Sequence, residues 1–227
     1  MSESVRRLTF VLMAVGALSA LLPGCGGGEK AVPALSDAEL RETVMITSEG
    51  LPWTITPAGD EAQSNEQAAT AFPNQQQWLD NYQKWGRGGG HAATFSTEQT
   101  SVFGVQAEVE SYGSVGGAQA AWATLRDYGV SSEFVTFLEQ SSGSTVTVGR
   151  MDAERVGDES SAYILQTTAG GQTSQTIIVL FRRDFVVASA SVGAPPGEAR
   201  VEDAVTVAEQ VDGRIQDILN GQTSVPR

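Results

Sequence analysis

From Val201 onward, apolar residues recur every three or four positions: Val201, Ala204, Val205, Ala208, Val211, Ile215, Ile218 and Leu219. That spacing puts them on one side of a helix of about five turns, the strongest periodic signal in the chain. Trp78, Leu79, Tyr82 and Trp85 repeat the pattern on a shorter scale after Asn74, and Gly86-Arg87-Gly88-Gly89-Gly90 ends it. A third helix is predicted from Gly117 to Tyr128, with Ala118, Ala121, Trp122 and Leu125 inward. Ser36-Asp37-Ala38-Glu39 has the spacing of a capping box, and Leu40, Val44 and Met45 continue as a helical face. Residues 58 to 73 are polar and alanine-rich without a period, which predicts a surface excursion.

Elsewhere the period shortens to two. His91 to Phe95 and Val102 to Val109 read as strands, with Glu98 to Ser101 as the turn between them. In the second of these, Val105, Ala107 and Val109 share one face, while Gln106, Glu108 and Glu110 share the other, the pattern of a half-buried strand. Phe134 to Leu138 fits either helix or strand. Thr145 to Val148, Ala162 to Thr167, Thr176 to Phe181 and Phe185 to Val192 are four further strands. Ile177 to Phe181 is apolar on both faces, as a central strand would be. Arg182-Arg183-Asp184 reads as a polar turn, and Pro195-Pro196-Gly197 stops the last strand.

Strands joined by short turns predict an α+β fold: one antiparallel sheet with amphipathic helices packed against it. Two segments, 91–128 and 162–219, share the order strand, strand, helix, a topological hint of an internal repeat. In order and spacing, residues 90–220 resemble the PsbP/Mog1-like α/β sandwich found in some secreted bacterial lipoproteins.

The beginning of the chain carries a different signal. Arg6 and Arg7 precede an uncharged stretch from Leu8 to Pro23, the layout of a secretory signal. At about 16 residues it is shorter than the roughly 20 that a membrane-spanning helix needs. Leu22-Pro23-Gly24-Cys25 resembles the lipobox of bacterial lipoproteins, with Pro23 in the variable position. The resemblance implies cleavage between Gly24 and Cys25, a diacylglyceryl group on the Cys25 thiol and acylation of the new amino terminus. The domain plan is then a signal peptide over 1–24, a flexible tether over 25–35 and one α+β envelope domain over 36–227. Two or three acyl chains make a stable anchor where one binds reversibly. The protein is thus expected at the cell membrane, lipid-anchored, on the extracytoplasmic face.

Charge narrows the partners. The chain of 227 residues has 27 acidic and 14 basic residues, a formal net charge of −13, and its only lysines are Lys30 and Lys84. Removal of residues 1–24 takes away Arg6, Arg7 and Glu3, leaving 12 basic and 26 acidic residues and a charge of −14. Such a chain repels phosphate backbones, so no nucleic-acid partner is expected. Cys25 is the only cysteine, which rules out an internal disulfide.

Candidate chemistry is sparse. His91 is the sole histidine, so a histidine-rich metal site is excluded, and it reads as a turn or surface residue. No G-x-S-x-G elbow occurs; Gly113-Ser114-Val115-Gly116 has the wrong spacing, and its serine reads as preceding a helix. The glycines around Arg87 follow a helix and lead into a strand, the reverse of a phosphate loop, so they read as a cap and connector. Asp60-Glu61, Asp152 with Glu154, Asp158-Glu159 and Glu202-Asp203 are paired acids, which read as solvated faces or turns. The Trp78, Tyr82 and Trp85 face is either core or a groove for a sugar or hydrophobic ligand. No catalytic residue, metal or cofactor is assigned. The leading expectation is a non-catalytic envelope lipoprotein that binds an envelope protein, a glycan or a small ligand. An envelope hydrolase using a carboxylate pair and a small solute-binding lipoprotein are the alternatives.

Overall fold

In the computed structural model the described residues are 32–98 and 102–222. The signal peptide, Gly24, Cys25 and most of the predicted turn at 98–101 lie outside them. The described chain runs α1 (Asp37–Val44), β1 (Ile55–Gln63), α2 (Asn65–Ala69), α3 (Gln75–Trp85), β2 (Arg87–Thr97) and β3 (Gly104–Tyr112). It continues with α4 (Val115–Tyr128), α5 (Ser132–Ser142), β4 (Thr145–Met151), β5 (Glu159–Ala169), β6 (Gln172–Arg183), β7 (Val186–Ala194) and α6 (Val201–Leu219).

All seven strands join one sheet in the order β1-β2-β3-β7-β6-β5-β4. Every neighbouring pair is antiparallel. Two meanders, β1-β2-β3 and β4-β5-β6-β7, therefore meet along β3 and β7. The predicted α+β class, with one antiparallel sheet and amphipathic helices against it, is what the chain adopts. The α4–α5 connection carries the chain from the centre of the sheet to the far edge at β4.

Helices cover both faces. On one, α1 and α6 pack against Val105, Ala107 and Val109 of β3, with Ile177, Val179 and Phe181 of β6 beside them. On the other, α2 to α5 pack against Tyr112, Tyr163, Leu165, Leu180 and Val187. Alternating strand side chains thus feed two separate cores, as the two-residue period of a strand demands. The two strand-strand-helix segments place their helices on opposite faces, α4 on the second core and α6 on the first. Ahead of α1, Val32 and Leu35 pack on the first core, and the Val32 N–H donates to the Gly113 carbonyl.

Three sequence expectations change. The supposed excursion over 58–73 holds edge strand β1 and the short α2. β1 is exposed along most of its length, so it lacks the buried face that produces alternation. Its register also shifts between Pro57 and Gly59, where a bulge leaves Ala58 without a partner on β2. The ambiguous Phe134 to Leu138 belongs to α5, which Ser131 caps by accepting from the Phe134 N–H. Ser114 caps α4 in the same way, through the Gly117 N–H. The third change concerns β3, whose polar face is as buried as its apolar one: Gln106, Glu108 and Glu110 are all buried.

Candidate functional site

The polar face of β3 needs partners because a buried carboxyl or amide without them is costly. Glu110 obtains two. Arg87 Nε donates to one carboxylate oxygen at 2.8 Å, and the Tyr112 hydroxyl donates to the other at 2.7 Å. Arg87 Nη1 also donates to Asn65 Oδ1 at 2.8 Å and to the Gln63 carbonyl at 3.3 Å. Its guanidinium carbon lies 4.9 Å from the centre of the Tyr82 ring, within reach of a cation–π attraction. Arg87, read from the sequence as part of a connector, is thus the first residue of β2 and a fully enclosed counter-ion.

The glycines around it serve this arrangement. Gly86 ends α3 in the left-handed conformation, with φ of 71°. Gly90 lies beneath the returning arginine: a Cβ there would stand 2.5 Å from Arg87 Nη2 and 2.8 Å from the Val109 carbonyl. Only a residue without a side chain lets Arg87 fold back along its own strand.

Glu108, two residues before Glu110 on the same face, has no such counter-ion of its own. Gln63 Nε2 donates to it at 3.2 Å. Burial pushes the Glu108 carboxyl up to about 8; the amides of Gln63 and Gln106 and the charge of Arg87 oppose that rise, and Glu110 adds to it. The next position along the strand is Gln106, only 6% exposed, whose Oε1 has no hydrogen-bond partner. On β7, Ser191 and Ser189 stand opposite Gln106 and Glu108 and continue the polar floor.

This floor opens into a cleft of about 960 Å³, within the size range of small-molecule sites. Its existence follows from the helix layout. α4 packs on β3, β7 and β6, and α5 on β4. Over β1 the cover on this face is the five-residue α2, too short to close it, while α2 and α3 both reach β2. Gln63, Thr94, Gln106 and Glu108 line the cleft, and Phe103 stands at its lip. Phe103 is the one exposed large hydrophobic side chain among the described residues.

The aromatic face of α3 has the other of its two possible fates. Trp78 and Tyr82 are 2% exposed and Trp85 8%, all within the second core. Phe72 stacks on Trp78 with ring centres 3.6 Å apart, and Trp85 meets both Trp78 and Tyr82 edge-on. The rings fill one another's space.

His91 is buried in β2, a correction to its reading as a turn or surface residue. Its Nε2 lies 3.1 Å from Asp60 Oδ2, and Arg41 Nε donates to the same carboxylate oxygen. These two hydrogen bonds, that of Arg41 first, hold Asp60 below the usual carboxylate range. An ionised Asp60 only accepts, so His91 Nε2 carries the proton. His91 Nδ1 is buried and has no hydrogen-bond partner. Asp158 and Glu159 pair with Arg182 and Arg183, and Asp203 with Arg200. Among the described residues no cluster of three or more metal-ligating side chains occurs.

No family model and no curated protein matches this chain. Among solved structures it is similar to the extracellular domain of PknH from Mycobacterium tuberculosis. The TM-score is 0.54 at 12% identity, over 82% of this chain and 98% of that one. At that identity the likeness is one of fold.

The residues that build the cleft were visible in the sequence only as the polar half of an alternating strand. No local signal separates a polar face turned to water from one turned to a buried arginine. The one hint was a lone arginine inside a run of glycines.

Proposed function

We propose that this protein is a non-catalytic, lipid-anchored module on the extracytoplasmic face of the membrane, and that its cleft binds a small ligand. The observation that carries the binding half is Gln106, a buried residue lining a cleft of about 960 Å³, whose amide oxygen has no hydrogen-bond partner. A buried acceptor left unpaired costs roughly 1–3 kcal/mol, which a ligand donor would recover. Support for the location is of two kinds. Leu22-Pro23-Gly24-Cys25 has the lipobox pattern, and a protein of similar fold is an extracellular domain. No helix of the described residues is long and apolar enough to cross a membrane.

The carboxylate-pair hydrolase is favoured by one observation, that Glu108 and Glu110 stand two residues apart on one buried face. Against it, both oxygens of Glu110 are engaged, by Arg87 and Tyr112, which suits a structural ion pair better than a nucleophile or base.

The binding reading is tested on the mature protein extracted in detergent, with a mixed small-molecule library and ligand-observed NMR. Thr94, half-buried on the cleft floor, is replaced by Trp to fill the space. Compounds that bind the native protein and are lost in Thr94→Trp support the reading. A library in which no compound distinguishes the two proteins would overturn it.

A further inference from the structure

The cleft has a marked chemical bias. Asp60, Glu61, Glu98, Glu108 and Glu110 all contribute to its lining, and among the described lining residues there is no lysine, arginine or histidine. Arg87 has no exposed side-chain surface and is paired with Glu110, and Arg41 is paired with Asp60. None of the described lining residues offers an anion a counter-charge.

The floor also presents acceptors. Gln106 Oε1 is unpartnered, and Glu108 receives 3.2 Å hydrogen bonding from Gln63 without a cation of its own. A hard metal ion would need more oxygen ligands than this, and no cluster of three metal-ligating side chains occurs among the described residues. At the lip, Phe103 offers an exposed aromatic ring, a surface that suits an alkyl chain or the face of an organic cation.

We infer that the cleft's occupant is a small organic cation, an ammonium or guanidinium on a short apolar body, whose N–H groups donate to Gln106 Oε1 and the Glu108 carboxylate. This rests on the reading of the cleft as a ligand site. A proton is displaced as the cation arrives. Neutral Glu108 gives its proton to the buffer, and the resulting carboxylate pairs with the incoming positive charge, so site and ligand together keep their net charge balanced. The charged and titratable groups around Glu108 are Glu110 on its own strand, Arg87 on β2, Glu61 on β1 and the Tyr82 hydroxyl on α3. Its neighbour on β7, Ser189, is uncharged. Of these, Glu110 and Arg87 compensate each other, which leaves Glu108 as the group whose proton responds.

The test is calorimetry on the mature full-length protein with 1,5-diaminopentane and agmatine as probes, from pH 6 to 8.5, in two buffers of different ionisation heat. Expected results are binding of at least one probe, release of up to one proton per site, and affinity that rises by at most about tenfold per pH unit below pH 8. Glu108→Gln, which preserves shape, should weaken binding by about tenfold or more and remove the pH dependence. Gln106→Ala should weaken binding and leave the pH dependence in place. Circular dichroism confirms that each variant is folded. Failure of both probes to bind, equal affinity for 1,5-pentanediol, or displacement of the probe by calcium at equal concentration would each overturn the inference. Neutral or anionic compounds that are lost in Thr94→Trp yet indifferent to Glu108→Gln would overturn it while leaving the ligand-site reading intact.

Discussion

Glu108 shows how one residue can link stability to site chemistry. Its carboxyl titrates near 4.5 in an unfolded chain and is pushed up to about 8 by burial in the folded protein. Between those values the folded protein holds a proton that the unfolded chain has released. The stabilising contribution of that proton is full below about pH 4.5 and is lost as pH rises through about 8. The loss amounts to about 3 to 5 kcal/mol across the window. Glu108→Gln has no proton to lose there. Its unfolding free energy should therefore gain on the native protein by that amount between pH 5 and pH 9, measured by urea denaturation at both values. Parallel pH profiles for the two proteins would show that Glu108 is solvated in the folded state, and the picture of a buried carboxyl would go with it. A cationic ligand changes the same balance, since it makes the charged form favourable in place.

At the scale of elements, the aromatic face of α3 illustrates what sequence periodicity can and cannot decide. Trp78, Tyr82 and Trp85 fall on one side of a helix whether that side meets core or ligand. The structure puts Trp78 against Phe72, Tyr82, Trp85 and Tyr128. Trp78→Ala should then cost about 3 to 5 kcal/mol, read as a lowered urea midpoint at unchanged slope. An unaltered midpoint would mean that the ring is not packed. The same logic explains which elements were legible. α6, α3 and α4 were readable because each has one apolar stripe against one core. β1 was not, since an edge strand with little buried surface has no alternation to detect. β3 was half readable: its period fixed the strand and its apolar face. The destination of Gln106, Glu108 and Glu110 depended on Arg87, about twenty residues earlier and brought alongside by the β2–β3 hairpin. Position 108 pairs with Ala92 and position 110 with Gly90, and the small side chains there leave the room that the arginine and the cleft occupy.

For the molecule as a whole, the entry point of the chain sets how the cleft would face if Cys25 carries the lipid. Val32 is held to Gly113, just after the end of β3, whereas Phe103 and the cleft lip lie just before its start. Nine residues of strand separate the two ends, about 30 Å at some 3.3 Å per residue. From Cys25 to Val32 the fully extended chain reaches at most about 25 Å, so the Gly113 end stays near the bilayer. The lip of the cleft should consequently face away from the membrane, open to diffusing ligands. The single cysteine makes this measurable, because lipidation blocks its thiol and a new cysteine can be labelled alone. In protein reconstituted into vesicles with headgroup-bound quencher, a fluorophore on Ala34→Cys should be quenched more strongly than one on Phe103→Cys. Equal quenching would refute the orientation. Cys25→Ala should fail to incorporate labelled fatty acid and should keep its signal segment. Normal processing of that variant would remove the anchor itself, and with it the reason for the cleft to point anywhere in particular.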